Sequence, residues 1–297
     1  MRHTITILLI MVSIRVCAQL DPLYQQYHLN QYLINPAYGG IYKSTTFSVN
    51  SRLQWLGLDG SPFTNTFTTV TNIGNFAGFG VRVMSDQIGI RKTNELVAST
   101  SYFIRADKIT IGFGLQGGIN QTTNDLSEFI PEVLHDPTLD NFIPSFIFPT
   151  FGVGIMVKHT NYFFGFSIPR LLNEIDPRLG YQDNHVYKRH YYVSAGFIPN
   201  LIDMKLQTLV RIIGNKVSVD VSSTYFVTEN LWAGVLFRDV FNIGVFGQLQ
   251  VKDRFRLGYT VELPFDDLIT THYGTHEVTL SYSIAPGKRQ SLGDRFF

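Results

Sequence analysis

The sequence predicts an all-β transmembrane barrel, an antiparallel up-and-down sheet of about 14 strands with short periplasmic turns and long extracellular loops. Three observations carry that expectation. Residues 216–227 alternate, with Val217, Val219, Val221, Tyr225 and Val227 on one parity and Ser218, Asp220, Ser222 and Thr224 on the other. A strand turns successive side chains to opposite faces, so this segment has one greasy face and one wet face. The composition is 44% hydrophobic, 14% aromatic and only 16% charged, against about a quarter charged in soluble domains. The connections between alternating segments also sort by length, short on one side and long on the other.

The first element is a secretory signal peptide, residues 1–18. Arg2 and His3 precede an apolar run from Ile5 to Ile14, and Val16 and Ala18 stand at −3 and −1 of a cleavage site after Ala18. The run is about half the length that spans a bilayer. Cleavage would remove Cys17, the single cysteine, leaving no thiol for a disulfide or a cysteine metal site. Residues 19–43 are polar and aromatic, a periplasmic or plug segment. The barrel follows over 44–284, and 285–297 form a tail.

Strands are expected near 44–55, 64–73, 76–85, 94–105, 108–121, 150–158, 161–168, 188–198, 202–213, 216–227, 231–238, 241–251, 254–263 and 272–284. Ile109, Ile111, Phe113 and Leu115 alternate with Thr110, Gly112, Gly114 and Gln116 in the same way, whereas 64–73 and 94–105 alternate poorly. If the first strand starts from the inside, the inner connections are two or three residues long. They include Gly74-Asn75, Ala106-Asp107 and Lys252-Asp253. The long ones, 56–63, 86–93, 122–149, 169–187 and 264–271, all lie outside, with two short outer ones at 214–215 and 239–240. A sandwich has no reason to sort its loops by parity; membrane barrels do. The wet face carries Arg52, Arg82, Lys158, Lys205, Arg211, Asp220, Arg238, Arg254, Arg256, Glu262 and Glu277, lining an interior too wide for side chains alone to fill. Trp55, Tyr225, Trp232 and Tyr273 fall near strand ends, where aromatic girdles belong.

Chemistry is thin by comparison. With 24 basic and 23 acidic residues the net charge is +1, which leaves no nucleic-acid footprint. Gly112-Phe-Gly114-Leu-Gln-Gly117 spells G-x-G-x-x-G but lies inside a strand, where no helix N-terminus can receive a pyrophosphate. Those glycines instead keep the lumen face small or let the sheet curve. His272 and His276-Glu277 sit on a strand, so the zinc-protease pattern fails, and no G-x-S-x-G occurs. No catalytic residues, cofactor or metal site are expected, and the chain is not read as an enzyme.

Three stretches depart from generic barrel sequence: Gln25-Gln26-Tyr27 through Asn35-Pro36-Ala37-Tyr38-Gly39-Gly40, the run from Arg52 through Gln54, Trp55, Gly57, Gly60 and Pro62 to Thr64, and Tyr273-Gly274-Thr275-His276-Glu277. With Arg189-His190-Tyr191-Tyr192 they resemble, in order and across nearly the whole chain, the PorP/SprF family of Bacteroidetes outer-membrane proteins. The tail 285–297 departs from the cysteine-containing ending expected of many members. The resemblance implies a bacterial outer-membrane partner of the type IX secretion and gliding machinery. Such a partner helps a surface adhesin with a C-terminal sorting domain to be secreted or anchored, in contact with periplasmic components of the system.

On that footing the outer loops are the expected partner-binding surface, through Phe129, Phe142, Phe146, Phe148, Leu171, Leu172, Tyr181 and Tyr187. The competing expectation is a porin for small, anionic solutes, favoured by the lumen arginines. Whether residues 20–43 occlude the lumen separates the two.

Overall fold

The computed structural model describes residues 24–125, 145–172, 174–175, 185–187, 189–199, 202–239, 242–252, 254–265 and 270–284. Its strands are β1 (Thr45–Leu53), β2 (Phe63–Ile73), β3 (Ala77–Ile88), β4 (Arg91–Ala106), β5 (Ile109–Asn124), β6 (Ser145–Lys158), β7 (Tyr162–Ile168), β8 (Glu174–Ile175), β9 (His185–Tyr187), β10 (His190–Phe197), β11 (Met204–Ile213), β12 (Lys216–Phe226), β13 (Leu231–Arg238), β14 (Asn242–Val251), β15 (Phe255–Pro264) and β16 (Thr275–Ile284). Fourteen of them, all but the small β8–β9 ladder, close into one antiparallel barrel whose wall order follows the chain. The seam is β1 against β16, with Thr45 opposite Ile284, so the wall begins and ends at the same rim.

At that rim the connections are short, spanning 74–76, 107–108, 159–161, 198–203, 227–230 and 252–254. The long connections, 54–62, 125–144, 169–189 and 265–274, all leave the opposite rim. Short turns are periplasmic in such barrels, so the terminal rim faces the periplasm and the other the exterior. The loop expected over 86–93 is absent. Strands β3 and β4 run on to Ile88 and Arg91, and Gly89, at φ 55°, closes a two-residue turn that needs a left-handed backbone. Strand β6 likewise starts earlier than expected, at Ser145.

The wall is inside out relative to a soluble protein. On β12, Val217, Val219 and Val221 are 56%, 40% and 49% exposed, while Asp220 is 0% and Ser222 1% exposed. Only an apolar solvent outside makes that arrangement stable, because every backbone group is already satisfied by the closed ladder. Residues on the wet face therefore meet a filled polar interior. Arg52, Arg82, Lys158, Lys205, Arg211, Arg238, Glu262 and Glu277 are all buried; Arg254 instead lies exposed at the periplasmic rim. Trp232 corrects the girdle expectation. It is buried on the lumen side, edge-on to Phe226 and beneath Arg256, because its parity places it inward near the start of β13.

Residues 24–44 occupy the interior as three 3-10 turns, Gln26–His28, Gln31–Leu33 and Pro36–Tyr38. Tyr27, Tyr32, Leu33, Ile34, Ala37, Tyr38 and Ile41 are all buried there. The wall answers with inward apolar side chains, notably Val97 and Phe103 on β4, Met156 on β6 and Phe163 on β7. That is why 94–105 alternates poorly in sequence. Its lumen face meets a greasy segment in place of water.

Candidate functional site

The segment 34–41 is held by local chemistry first. The Asn35 side-chain oxygen accepts from the Ala37 amide at 2.9 Å, and Pro36 takes the first helical position, where its missing N–H costs nothing. The Asn35 amide group also donates to the carbonyls of Ile155 (3.1 Å) and Phe166 (3.3 Å), tying the turn to β6 and β7. Ser167 donates to the Ile34 carbonyl at 2.7 Å, Ser99 to the Tyr32 hydroxyl at 2.8 Å, and Ser101 to the Gly39 carbonyl.

The seat beneath it is cut in glycine. A Cβ at Gly114 would run into the backbone of Pro36 and Ala37, one at Gly78 into the Gly39 carbonyl, and one at Gly154 into the Asn35 side chain. At Gly80 it would stand 2.6 Å from the Tyr32 ring. Of the strand glycines that resembled a nucleotide motif, Gly112 and Gly114 are thus clearance for the inner segment, whereas a Cβ at Gly117 would meet only the Phe151 ring. Gly40, at φ 81°, then turns the chain out toward β1.

A second anchor gathers around Glu277. Its carboxylate accepts from the backbone amides of Gln25 (2.7 Å) and Gln26 (2.9 Å) and from Asn50 Nδ2 (2.8 Å), and lies 3.6 Å from Arg52 Nε. Gln26 Nε2 donates to the Glu277 carbonyl at 2.8 Å, and Gln25 Nε2 to Glu262 at 2.5 Å. The network runs on around the wall. Arg238 pairs with Glu262 (3.2 Å) and Asp220 (3.0 Å), Arg211 pairs with Asp220 (2.5 Å), and Arg238 donates to the Tyr24 carbonyl at 3.2 Å. Across the lumen Glu95 bridges Arg82 (2.8 Å) and Arg170 (2.9 Å), and Arg82 donates to the Leu33 carbonyl at 3.3 Å. Buried charges are tolerated only when paired and hydrogen-bonded, so each such partner fixes its neighbour's place.

The remaining motif residues build the outer rim. Trp55 adopts φ 54°, the Gln54 amide donates to the Pro62 carbonyl (2.9 Å), and Leu56 exchanges backbone bonds with the stretch 273–274, each 2.8 Å. Gly57 is required by the Tyr273 ring, which a Cβ would meet at 2.9 Å. Gly60 accepts from the Gly89 amide at 2.9 Å, Thr64 donates to Asp86 at 2.6 Å, and Arg52 donates to Gln54 at 2.6 Å. His276 bonds the Tyr259 hydroxyl (2.8 Å) and the Tyr273 carbonyl (3.0 Å). The stretches 52–64 and 273–277, distant in sequence, therefore converge at the outer rim, and Glu277 holds Gln25 and Gln26, whereas 35–40 seats apart on the glycines of β3, β5 and β6. Arg189 and His190 stand apart at the outer start of β10, Arg189 donating to the Leu171 carbonyl at 2.8 Å and His190 buried beside Tyr192.

Of the expected partner-binding residues, the described ones fall on separate elements. Phe129, Phe142 and Tyr181 lie outside the described residues, and Tyr187 ends the β9 strand. Phe146 and Phe148 belong to β6, not to a loop; they share the inward parity of Thr150, opposite Thr122 and Asn120, and stack at 5.8 Å. Leu172 is exposed beside Leu171, whose amide donates to Phe151. Sequence reading missed the clamp made by Gln25, Gln26 and Asn50. The available hints were a buried-parity acid, Glu277, in a motif, and Gln25-Gln26 at the head of an unusual polar stretch. Among the described residues no group of three or more His, Cys, Asp or Glu side chains could hold a metal. His28, in the inner segment, is held neutral: burial first, then Lys205, pulls it down to about 3.

A closed 14-strand wall with lipid-facing valines and a polar, occupied lumen defines an outer-membrane β-barrel protein. The chain belongs to the family described as type IX secretion system membrane protein PorP/SprF, whose family model matches residues 16–282. No curated protein matches it. Among solved structures it is similar to the "TodX deltaS2S3 mutant monoaromatic hydrocarbon channel" at 9% identity, covering 86% of this chain and 94% of that one, TM-score 0.55. It is also similar to the P. putida toluene transporter TodX at 8% identity, covering 88% and 95%, TM-score 0.53. The Acinetobacter baumannii outer membrane protein Omp33 aligns at 10% identity over 82% and 99%, TM-score 0.46. The TodX likenesses share the fold. Family and fold together point to a secretion-system membrane component and to a non-enzymatic role.

Proposed function

We propose that this barrel is a plugged docking platform for a secreted surface protein, not an open pore. The observation that supports the reading is the seating of residues 24–44, tied at Glu277 on one wall and at the glycine seat on the other. A lumen filled in this way leaves recognition to surfaces presented at the rims, and loops held on a rigid scaffold are where such surfaces lie. The outer loops around 125–144 and 169–189, with Phe129, Phe142, Leu171, Leu172, Tyr181 and Tyr187, dock the C-terminal sorting domain of an adhesin as it is secreted or anchored. The signal peptide 1–18 delivers the chain to the envelope, and the short-turn rim faces the periplasmic components of the system.

The test is purification of the tagged barrel from gently solubilised outer membrane, with mass spectrometry of what accompanies it. Recovery of one large surface protein, dependent on its C-terminal domain and lost on trimming 169–189, supports docking. Recovery of the barrel alone, together with large steady currents in planar bilayers, supports the porin for anionic solutes instead.

A further inference from the structure

Beneath the inner segment, at the periplasmic rim, lies a cavity of about 120 Å³. Its wall positions are the periplasmic ends of strands: Thr46 opens β1, Ser283 nearly closes β16, and Arg254 and Arg256 flank the start of β15. The side chains at its mouth, Arg254 among them, are exposed or half-buried, so it opens toward the periplasm. It is comparable in size to cavities that hold a benzene-sized guest.

Its electrostatics are one-sided. Lys205, Arg254 and Arg256 line it, and none of the described residues in its lining is an acid. Arg256 also lies over the Trp232 ring, 4.9 Å from its centroid, and donates to Gln250 at 3.4 Å, both of them neutral members of the same lining. The hollow is therefore net positive whatever else each cation touches.

A second, independent feature points the same way. Gln31 and Gln248 line the cavity, are 7% and 4% exposed, and carry side-chain nitrogens with no hydrogen-bond partner in the protein. Buried donors of this kind are costly unless something accepts from them. Ser281 and Ser283 add hydroxyls to the same lining. Donors and positive charge converging on a small, open, polar hollow match what an oxyanion requires.

We infer that this cavity is an oxyanion site, reached from the periplasm, that takes one carboxylate or phosphate group. The site stands at the opposite rim from the outer loops and does not rest on the docking reading. The oxyanion is either a free small anion or a group carried on a larger molecule; the shared chemistry is the two or three oxygens that accept from Lys205, Arg256 and the amide donors.

The experiment uses the full-length barrel in detergent with Trp55→Phe, which leaves Trp232, itself part of the cavity wall, as the single tryptophan. Inorganic phosphate and acetate are titrated separately at constant ionic strength made up with chloride. A saturable change in Trp232 fluorescence with either anion is expected, at least tenfold weaker in Lys205→Gln. Response to phosphate alone assigns a phosphate group, and response to acetate alone a carboxylate. Arg254→Gln, an exposed change at the mouth that leaves folding intact, is expected to weaken binding severalfold, whereas Arg189→Gln at the other rim leaves it unchanged. No saturable response in either titration, or one equally strong in Lys205→Gln and Arg254→Gln, overturns the site.

Discussion

Replacing Glu277 by glutamine keeps the shape of the side chain and removes its charge, which isolates what the carboxylate does. In the folded barrel that carboxylate holds two backbone amides of the inner segment and faces Arg52, which is 2% exposed. Taking away one partner of a buried ion pair costs about 3–5 kcal/mol, because the other charge is left without its counterion. The glutamine would still offer one carbonyl oxygen to one amide, so the lower end, about 3 kcal/mol, applies to the hold on residues 25–26. At about 1.4 kcal/mol per factor of ten, the population with a released segment rises roughly a hundredfold. The assay is labelling of Ile34→Cys, 3% exposed in the seated segment and outside the periplasmic cavity, in a Cys17→Ser background, by a membrane-impermeant maleimide, with heat-modifiable gel mobility as the check that the barrel is closed. A hundredfold faster labelling is expected. Equal rates in the two closed barrels would show that Glu277 does not anchor the segment, and the two-anchor account would fail.

Three further outcomes are expected. Gly114→Leu places a side chain where the Pro36–Ala37 backbone now lies, so the wall still closes but the segment cannot seat; planar bilayers should then show channel currents that the parent lacks. Val219→Lys puts a charge on the lipid face of β12 and should cost about 2–4 kcal/mol in urea-induced unfolding from vesicles, where Val219→Thr costs far less. His28 has a folded value near 3 against an ordinary 6.5, so the seated state binds fewer protons than the released one. Its contribution is complete above pH 6.5 and is lost as pH falls, so the released population should climb up to about tenfold per pH unit between 6.5 and 5, read as the labelling rate divided by that of a freely exposed cysteine at the same pH, because the thiolate that reacts becomes scarcer as pH falls. Asp220 and Lys205 face the same imidazole, and His28→Gln should flatten this dependence while leaving any carboxylate-driven change.

Much of the wall was legible because alternation is local. Valines and serines trade places every residue along 216–227, and the two solvents on either side enforce that pattern strand by strand. Where it faded, at 94–105, the missing information was what fills the lumen: Val97 and Phe103 are apolar and inward because the segment around Tyr38 is. Trp232 looked like an interface anchor from its place near a strand end, and only its parity in the closed sheet turned it inward. Phe146 and Phe148 read as loop residues because nothing in the run before 150 announces a strand; pairing with Asn120 and Thr122 on the long β5 extends the ladder to them.

Local pattern was enough to define the class of object: a barrel, its strand number, which face meets lipid, and which rim carries the long loops. These follow from a period of two and from turn lengths, which any stretch of chain carries without reference to the rest. The tertiary structure decided what the motifs are for. That Gln25 meets Glu277, 252 residues away, that Asn35 fits against Gly154, and that Gly57 clears Tyr273 depend on closure and register. Contacts across a lumen are set by the geometry of the whole ring, which no local pattern encodes.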